Sequence, residues 1–294
     1  MKGLRGRGRP RFRRVGLVAK PVREALRLTV ALERALRRRG RLVTLDAETA
    51  VALGRPSSGI SRGRIAREVD VVVVLGGDGT LLSVARAAPP ATPVLGINVG
   101  VLGFLAGLRR DEALSRLDEV LSGGFREDRR RRLDVEILDG PGRGTYRALN
   151  DAVLNKEALA RISTFSVSVG GPPVARFRAD GVIVATPTGS TAYNLSAGGP
   201  ILHPQLPALV VTPICPHSLA QRPLVVRDAD PIGLVVLDRG RREGLHLTLD
   251  GQEGVPVRAG TPIEIRSSRS PVTLLRAPDA DHFRKLSEKL NWGV

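Results

Sequence analysis

The amino-acid sequence predicts an α/β amino-terminal domain with an open, mostly parallel sheet, followed by a β-rich domain with an antiparallel, sandwich-like core. Strand-like segments alternate with amphipathic helical segments over the first third of the chain, which is the rhythm of parallel α/β sheets. The run DVVVVL is apolar on both faces, as a central parallel strand is when helices cover both sides of a sheet. From residue 133 onward the apolar segments are short, several have a period of two, and Gly and Pro separate them, which favours antiparallel sheet.

The first domain begins with a predicted strand over residues 14–20 and a predicted helix over residues 22–39, in which leucine and valine side chains recur at helical spacing. Gly40 is expected to end that helix. The segments LVTL, DVVVVL and PVLGINVG predict further strands, and residues 81–88 predict a short helix that ends before two prolines.

The second domain is predicted from short strands separated by turn residues. These segments are LDVEIL, STFSVSVG, VARFRADGVIVAT, LVV, GLHLTLDG, PIEIRS and PVTLL. A helix over residues 111–124 is expected to connect the two regions, and in a closing amphipathic helix Phe283, Leu286 and Leu290 share a face. The predicted boundaries are a basic tail without fixed structure at residues 1–13, the α/β domain at 14–108 plus 276–294, and the β-rich domain at 109–275.

The composition limits the classes of function. The 294 residues are 42% hydrophobic, enough for one large or two ordinary domains. No apolar run approaches the roughly 20 residues that span a bilayer, so we expect no membrane partner. Cys215 is the only cysteine, which excludes an intramolecular disulfide and makes a reducing cytoplasm the expected location.

The net charge of +17 admits three interpretations. Arginine-rich faces are commonly only solvated, they also attract small polyanionic substrates, and a basic balance can indicate nucleic-acid binding. The third interpretation has no support beyond charge, because the sequence contains no zinc-ligand spacing, no aromatic stacking pattern and no RNA-binding motif. A nucleic-acid partner is therefore not expected.

The segment GGDGT follows the valine-rich strand and is predicted to be a phosphate loop made of Gly76, Gly77, Gly79 and Thr80. Its glycines permit positive φ and a close backbone approach to a ligand. Successive N–H groups in such a loop, together with the start of the following helix, bind anions. The alternative is a tight strand-to-helix turn in which Asp78 caps the helix.

Asp78 places an anion where another anion is expected, and two roles explain this position. The carboxylate binds a magnesium ion that itself holds the phosphates, or it accepts a proton from a hydroxyl that attacks a phosphoryl group. Both roles predict a kinase-like site at the carboxyl ends of the parallel strands. The sequence assigns no further metal ligands.

Three other stretches carry candidate site residues. The hydroxyl-rich loop Thr186–Tyr193 is suited to bind the edge of a base or an amide, with Tyr193 against a flat ring; the alternative is an ordinary Ser/Thr-rich turn. Asn150 and Asp151 in LNDAVL are suited to hold a ribose diol; the alternative is a turn or a cap. LDGQ by itself predicts a hairpin turn.

In this order the stretches resemble the sequence pattern of the NAD kinase family. The matching segments are GGDGT, the Asn-acid pair, DGVIVATPTGSTAYNLSAGGP, PICPHSLAQRPLVV and DGQ. GGDGT alone also resembles diacylglycerol kinases and phosphofructokinases, which the segment TPTGSTAYNLSAGGP excludes. The alternatives to an NAD kinase are a lipid or sugar kinase, a catalytically silent NAD sensor and a nucleic-acid-binding protein.

The resemblance implies transfer of the γ-phosphoryl group of ATP, or of inorganic polyphosphate, to the 2′-hydroxyl of the adenosine ribose of NAD, which forms NADP. It also implies a divalent cation as cofactor, with Mg²⁺ as the expected ion, and a homodimer or homotetramer. The last helix is expected to return to the first domain.

Residue by residue, the resemblance makes Asp78 the catalytic aspartate near the 2′-hydroxyl, and it makes Asp78 and Gly79 contacts of NAD. The other positions that it assigns to NAD binding are Asn150, Asp151, Arg161, Arg178, Asp180, Thr188, Thr191, Ala192, Tyr193, Asn194, Leu195, Ser196 and Gln252. Many family members have Glu where this chain has Asp151. The shorter side chain keeps the charge but is expected to alter the ribose contact.

Overall fold

A computed structural model describes residues 11–100, 103–156, 163–238 and 244–292 of the chain. These residues form two compact units: the first runs to Arg129 and resumes at Val272, and the second is Arg130–Pro271. The predicted combination of a mostly parallel α/β sheet with an antiparallel β-rich part is confirmed.

The elements are numbered in chain order. Up to the second unit they are β1 Arg14–Ala19, α1 Arg23–Arg38, β2 Leu42–Asp46, α2 Ala47–Ala52, β3 Gly59–Ile60, α3 Arg62–Glu68, β4 Val71–Gly76, α4 Asp78–Ala85, β5 Val94–Asn98, β6 Leu108–Arg109, α5 Leu117–Leu121 and β7 Arg126–Arg130. The second unit contains β8 Leu133–Ile137, β9 Gly144–Ala148, β10 Asp151–Lys156, β11 Ser163–Val169, β12 Pro173–Ala179, β13 Gly181–Ala185, α6 Tyr193–Ser196, β14 Ala208–Ile214, β15 Leu224–Arg227, β16 Ile232–Val236, β17 Leu245–Leu249, β18 Glu253–Val257 and β19 Ile263–Ser267. The chain ends with β20 Val272–Arg276 and α7 His282–Leu290.

The first unit is built on one sheet whose described strands run in the order β3-β2-β1-β4-β5-β20-β7, with β6 also paired to β5. The pairs β1–β2, β1–β4, β4–β5 and β5–β6 are parallel. Every residue of β4 and β5 is buried, as the apolar runs predicted. The register aligns Gly76 with Asn98 and Asn98 with Arg109, so the carboxyl ends of β4, β5 and β6 lie side by side.

Two predicted helices of this unit differ in their bounds. α4 begins at Asp78 rather than Leu81, because the chain is extended only as far as Gly77 and an acidic residue is favourable in a first helical turn. The helix predicted over residues 111–124 is mostly turns, and only α5 is regular helix. The N–H groups of Glu112 and Ala113 bond to carbonyls three residues back, which is turn geometry.

The first unit extends further along the chain than the predicted domain. Leu117 and Phe125 pack in the same apolar core as the central strands, so the change of unit comes near residue 129 rather than 108. Phe12, within the segment predicted as tail, is buried in that core, and the N–H of Arg13 donates to the Asp70 carboxylate at 2.8 Å. Residues 1–10 lie outside the described part of the chain.

The PVTLL segment also differs from its prediction. As β20 it pairs with β5 in parallel and belongs to the first sheet instead of the antiparallel region. All of its residues from Val272 to Arg276 are buried, so it lacks the two-residue alternation of a strand with one solvated face.

The second unit is a sandwich of two six-stranded sheets. Their orders are β15-β14-β13-β10-β17-β18 and β12-β11-β16-β19-β8-β9, and the described pairs are antiparallel. One apolar core takes side chains from both sheets, including Leu154, Phe165 and Leu247. The stretch VARFRADGVIVAT forms two strands rather than one, because the chain changes sheets at Asp180.

The closing helix α7 belongs to the first unit, as expected. On its predicted apolar face only Leu286 is buried, whereas Phe283 is 66% exposed. None of the helices in the described part of the chain combines the length and the apolar character that a membrane-spanning helix needs.

Candidate active site

The GGDGT segment joins the end of β4 to the start of α4, at the carboxyl edge of the first sheet. Gly76, Gly77 and Gly79 permit positive φ, but none of the three adopts it. A Cβ added at Gly76 would lie 2.7 Å from Oγ1 of Thr80, whereas one at Gly77 would meet nothing within 4 Å. Glycine therefore lets the first of these residues pack on the helix and leaves the backbone of the second open to a ligand.

Asp78 does not cap its own helix. The N-cap residue of α4 is Gly77, and no side chain caps this terminus. Instead, Asp78 Oδ2 accepts the N–H of Phe104 at 2.8 Å and Oδ1 accepts the N–H of Leu105 at 3.1 Å. A Cβ at Gly103 would lie 2.0 Å from Oδ1, so this approach requires glycine at that position. Each carboxylate oxygen keeps one lone pair for a further partner.

In the second unit, a cavity of about 250 Å³ brings three of the predicted stretches together. Asn150 and Asp151 meet Ala192 and Tyr193 there, although about 40 residues separate the two pairs in sequence, and Asp250 and Gly251 of LDGQ line the same cavity. The sequence did not point to the other lining residues, Val153, Asn155 and Thr248. Alternation along β10 places Asp151, Val153 and Asn155 on one face of the strand.

Asp250 organises the floor of this cavity. Its carboxylate accepts N–H groups from Leu149 at 3.0 Å, Asn150 at 2.7 Å and Asp151 at 3.3 Å. Asp250 and Gly251 have φ of 52° and 64°, so LDGQ is the predicted hairpin turn, between β17 and β18. The turn was predictable from the Asp-Gly pair, but its composition does not say where the aspartate side chain points.

Several hydrogen-bond acceptors of the residues that line the cavity receive no hydrogen bond from the described part of the chain. Burial, and secondly the charge of Asp250, raise the pKa of the Asp151 carboxyl to about 7. No described residue donates a hydrogen bond to that carboxyl group. Oδ1 of Asn150 and Oδ1 of Asn155 are also buried without a partner in the described part of the chain. Unpaired buried acceptors are costly, so this cavity is suited to a ligand that presents hydroxyl or amide protons.

The hydroxyl-rich loop uses most of its hydroxyl groups to hold its own shape. Thr186 Oγ1 donates to the carbonyl of Leu149 at 2.6 Å and accepts the N–H of Gly189 at 3.1 Å. A Cβ at Gly189 would lie 2.1 Å from the carbonyl oxygen of Asn150, so the loop packs directly on the Asn150 backbone. Thr188 is buried and accepts a hydrogen bond from Arg130 at 3.3 Å.

Asn194 is the centre of the α6 turn rather than part of the cavity wall. Its side chain is fully buried: Nδ2 donates to the carbonyls of Ser190 and Pro200, both at 3.1 Å, and Oδ1 accepts from Thr212 at 2.7 Å. With these bonds its amide is satisfied inside the protein. The other predicted loop residues that do not line the cavity are Thr188, Thr191, Leu195 and Ser196.

Two family models together match most of the chain. Residues 15–125 match the ATP-NAD kinase N-terminal domain, and residues 149–277 match the ATP-NAD kinase C-terminal domain. The chain belongs to the NAD kinase family. The predicted family, and with it the predicted enzyme class, is confirmed.

Individual members of the NAD kinase family are similar over nearly the whole chain. The NAD kinase of Syntrophotalea carbinolica is 45% identical over 260 residues, 88% of this chain and 90% of that protein. The NAD kinase of Solibacter usitatus is 41% identical over 287 residues, 97% of this chain and 99% of that protein.

Two solved structures of the family have the same fold. A yeast NADH kinase in complex with NADH has a TM-score of 0.85 at 27% identity, covering 97% of this chain and 88% of that one. An NAD kinase from Archaeoglobus fulgidus in complex with ATP has a TM-score of 0.76 at 26% identity, covering 95% of this chain and 98% of that one.

Three further residues that the NAD kinase resemblance assigns to NAD binding are not among the residues that line the cavity. Arg178 is exposed on β12, Gln252 is exposed in the β17–β18 turn, and Asp180 is paired with Lys156 at 2.8 Å. Arg161 lies outside the described residues. The geometry therefore groups the Asn-acid pair with Ala192 and Tyr193, but not with these positions.

Proposed function

We propose that the chain catalyses the NAD kinase reaction with Asp78 as the proton acceptor and with the cavity of the second unit as a binding site for part of NAD. The reaction transfers a phosphoryl group from ATP or polyphosphate to the 2′-hydroxyl of the adenosine ribose and forms NADP. The observation that carries the binding assignment is the cavity itself, which is lined by Asp151 and by Asn150 and Asn155, whose Oδ1 atoms have no partner in the described part of the chain.

NAD carries the groups that this cavity lacks. Its two ribose diols and its carboxamide are hydrogen-bond donors, and its rings are flat. A carboxylate at Asp151 accepts two hydroxyl protons from one diol, and these charge-assisted bonds are stronger than bonds between neutral groups. Tyr193, 46% exposed at the cavity wall, offers its ring to a base or to the nicotinamide.

Asp78 has the properties of a fixed proton acceptor. A sugar hydroxyl is a weak nucleophile at neutral pH, and a positioned base contributes about 10²–10⁴ in rate. The two N–H bonds hold the Asp78 carboxylate in one orientation and leave a lone pair on each oxygen. We assign to the open backbone at Gly77, and to the start of α4, the binding of donor phosphate.

A divalent cation fits this site as a companion of the donor. The described residues include no group of three or more His, Cys, Asp or Glu side chains that could hold a metal ion. Mg²⁺ commonly binds through one or two carboxylates together with substrate phosphates, and Asp78 is the carboxylate within the phosphate loop. When bound, the ion neutralises charge on the transferred phosphoryl group.

The decisive experiment incubates the protein with NAD and Mg²⁺ and with either ATP or polyphosphate, and detects NADP with glucose-6-phosphate dehydrogenase. NADP is expected with at least one donor, and the pair of assays identifies which. NAD binding by calorimetry without NADP from either donor would favour a silent NAD sensor. Phosphorylation of a lipid or a sugar without NADP would favour another GGDGT kinase.

We also propose that the protein is a homodimer or homotetramer that works in the cytoplasm. The assembly is what the resemblance to the NAD kinase family implies, and the single cysteine agrees with a reducing compartment. Light scattering coupled to size exclusion is expected to give two or four times the mass of the 294-residue chain. A monomer at micromolar concentration would contradict the assembly.

A further inference from the structure

The loop of residues 103–106 lies between Asp78 and two cationic side chains of the chain's last segment. Its N–H groups at Phe104 and Leu105 donate to the Asp78 carboxylate. Its carbonyls accept hydrogen bonds from Arg276, at the end of β20. Arg276 Nη1 donates to the carbonyl of Leu105 at 2.8 Å and to that of Ala106 at 2.9 Å, and it lies 3.3 Å from the carbonyl of Phe104.

Lys285 on α7 completes this arrangement. Its Nζ donates to the carbonyl of Ala106 at 2.7 Å and lies 3.4 Å from that of Phe104. The Arg276 side chain is 6% exposed and pairs with Asp128 on β7, itself 11% exposed, at 3.1 Å. Arg276 is thus held from its other side, so it is a fixed donor rather than a solvated one.

The peptide that joins Phe104 to Leu105 is polarised from both ends. Its carbonyl lies against the cations, and its N–H donates to the anion of Asp78. Hydrogen bonds in such a chain strengthen one another where the surroundings are poorly solvated, and Leu105 and Ala106 are buried. The loop of residues 103–106 therefore transmits the positions of Arg276 and Lys285 to a carboxylate that neither side chain touches.

We propose that Arg276 and Lys285 are positioning residues for Asp78, acting through the backbone of residues 103–106. This inference rests on the proposed function of Asp78 as proton acceptor. Loss of either cation frees the loop carbonyls, the loop shifts, and the carboxylate loses its fixed orientation. The cavity proposed to bind NAD lies in the second unit and takes no residue from this loop, so the effect on kcat is expected to exceed the effect on NAD affinity.

The test compares turnover with binding in Lys285→Met and Arg276→Met. A misplaced catalytic group costs about 10²-fold when it moves by an ångström, so kcat is expected to fall about tenfold for Lys285→Met and about 100-fold for Arg276→Met, with the KM for NAD within about twofold. Lys285→Arg restores the donor and is expected to recover most of kcat. Arg284→Met is the matched control and should leave kcat unchanged: Arg284 lies on the same helix, and its ion pair among the described residues is with the exposed Glu288.

Hydrogen exchange of the loop amides gives a readout that does not depend on turnover. Exchange at Phe104 and Leu105 is expected to accelerate in Lys285→Met and in Asp78→Asn, but not in Arg284→Met. Because Arg276→Met removes the cation that lies 3.1 Å from the buried Asp128, this variant can fail to fold. Lys285→Met, with its melting temperature measured, then decides alone.

Unchanged kcat and unchanged amide exchange in folded Lys285→Met would overturn the inference. A rise in KM at constant kcat would also overturn it, because it would place the loop in substrate binding. If the wild-type protein makes no NADP, the proposed function fails. The exchange experiment still decides whether the two cations hold the loop on Asp78.

Discussion

Asp78 in the first unit and Asp151 in the second are both proposed functional carboxylates, and their surroundings are opposite. Asp78 is half-buried and receives two backbone N–H groups at 2.8 and 3.1 Å. Asp151 is 4% exposed, receives no hydrogen bond on its carboxyl group from any described residue, and lies near a second acid, Asp250. Without a ligand, the Asp78 carboxylate already accepts hydrogen bonds from the protein, and the Asp151 carboxyl group accepts none from the described residues.

This difference in hydrogen bonding agrees with the two proposed roles, Asp78 as proton acceptor and Asp151 as an NAD-binding group. A proton acceptor benefits from fixed geometry at the moment of reaction, which the N–H groups give to Asp78. A binding group benefits from bonds that only the ligand supplies, since an unpaired buried polar group is costly until it is paired. Asp250 has two effects. Its carboxylate fixes the backbone of residues 149–151, and its charge disfavours ionisation of Asp151.

The substitution Asp78→Asn tests the first half of the comparison and has the largest expected effect. The amide keeps the size of the side chain but does not accept the proton, so kcat is expected to fall about 10²–10⁴-fold. The affinity for NAD, measured by calorimetry, should change little. Asp118→Asn, which removes an exposed acid of the same unit, is the control. Unchanged turnover in Asp78→Asn would remove the proposed role of the base.

Gly103→Ala tests whether the position of the carboxylate, rather than its mere presence, matters. The added Cβ would lie 2.0 Å from Asp78 Oδ1, so either the carboxylate or the loop has to move. We expect a loss in kcat of up to about 10²-fold with the NAD affinity retained. Gly63→Ala adds a Cβ that meets nothing within 4 Å and serves as the matched control. Full activity of Gly103→Ala would indicate that Asp78 works in more than one orientation.

Asp151→Ala tests the second half of the comparison through binding. A lost hydrogen bond to a charged group costs about 1.5–3 kcal/mol, so the Kd for NAD is expected to rise about 10- to 150-fold. The value of kcat at saturating NAD should change less. The control within the same unit is Asp134→Ala, which removes an acid on β8 that pairs with Arg147 on β9. An unchanged Kd by calorimetry would separate Asp151 from NAD recognition.

The sequence predicted the central elements because their signals are local. The valine run of β4 has no polar residue, and a strand of that composition has to be buried on both faces. The antiparallel strands of the second unit carry the period of two that one buried face imposes, as in β17. By contrast, all five residues of β20 are buried, and its partner β5 lies far away in sequence, so its sheet was not predictable from its own residues.

The sequence pointed to site residues that have a functional side chain, and it missed groups of the backbone. Asn150 and Tyr193 have functional groups that suggested binding, and both line the cavity. The loop of residues 103–106 has only Gly, Phe, Leu and Ala, and its contribution comes from N–H and C=O groups that every such segment contains. The resemblance assigned Asn194 to NAD binding, and the structure shows its side-chain amide bonded within the protein, where it holds the loop.

The smallest effect is expected for the stability of Asp151→Asn, whose gain over the wild type should increase with pH. The pKa of Asp151 in the folded protein, about 7, lies above its ordinary value of 3.8. The stability that the protonated group contributes is therefore fully present below about pH 4 and is lost as the pH rises through about 7. Asp151→Asn has no charge to bury, so relative to the wild type it is expected to gain about 1 kcal/mol or more of stability between pH 5 and pH 8, which is about 2–4 °C in Tm.

Thermal unfolding at both pH values measures this gain. Asp134→Asn is the control, and its difference in stability from the wild type should stay constant over that range. A constant difference for Asp151→Asn as well would mean that Asp151 ionises in the folded protein as easily as in the unfolded chain, and the contrast with Asp78 would then rest on hydrogen bonding alone.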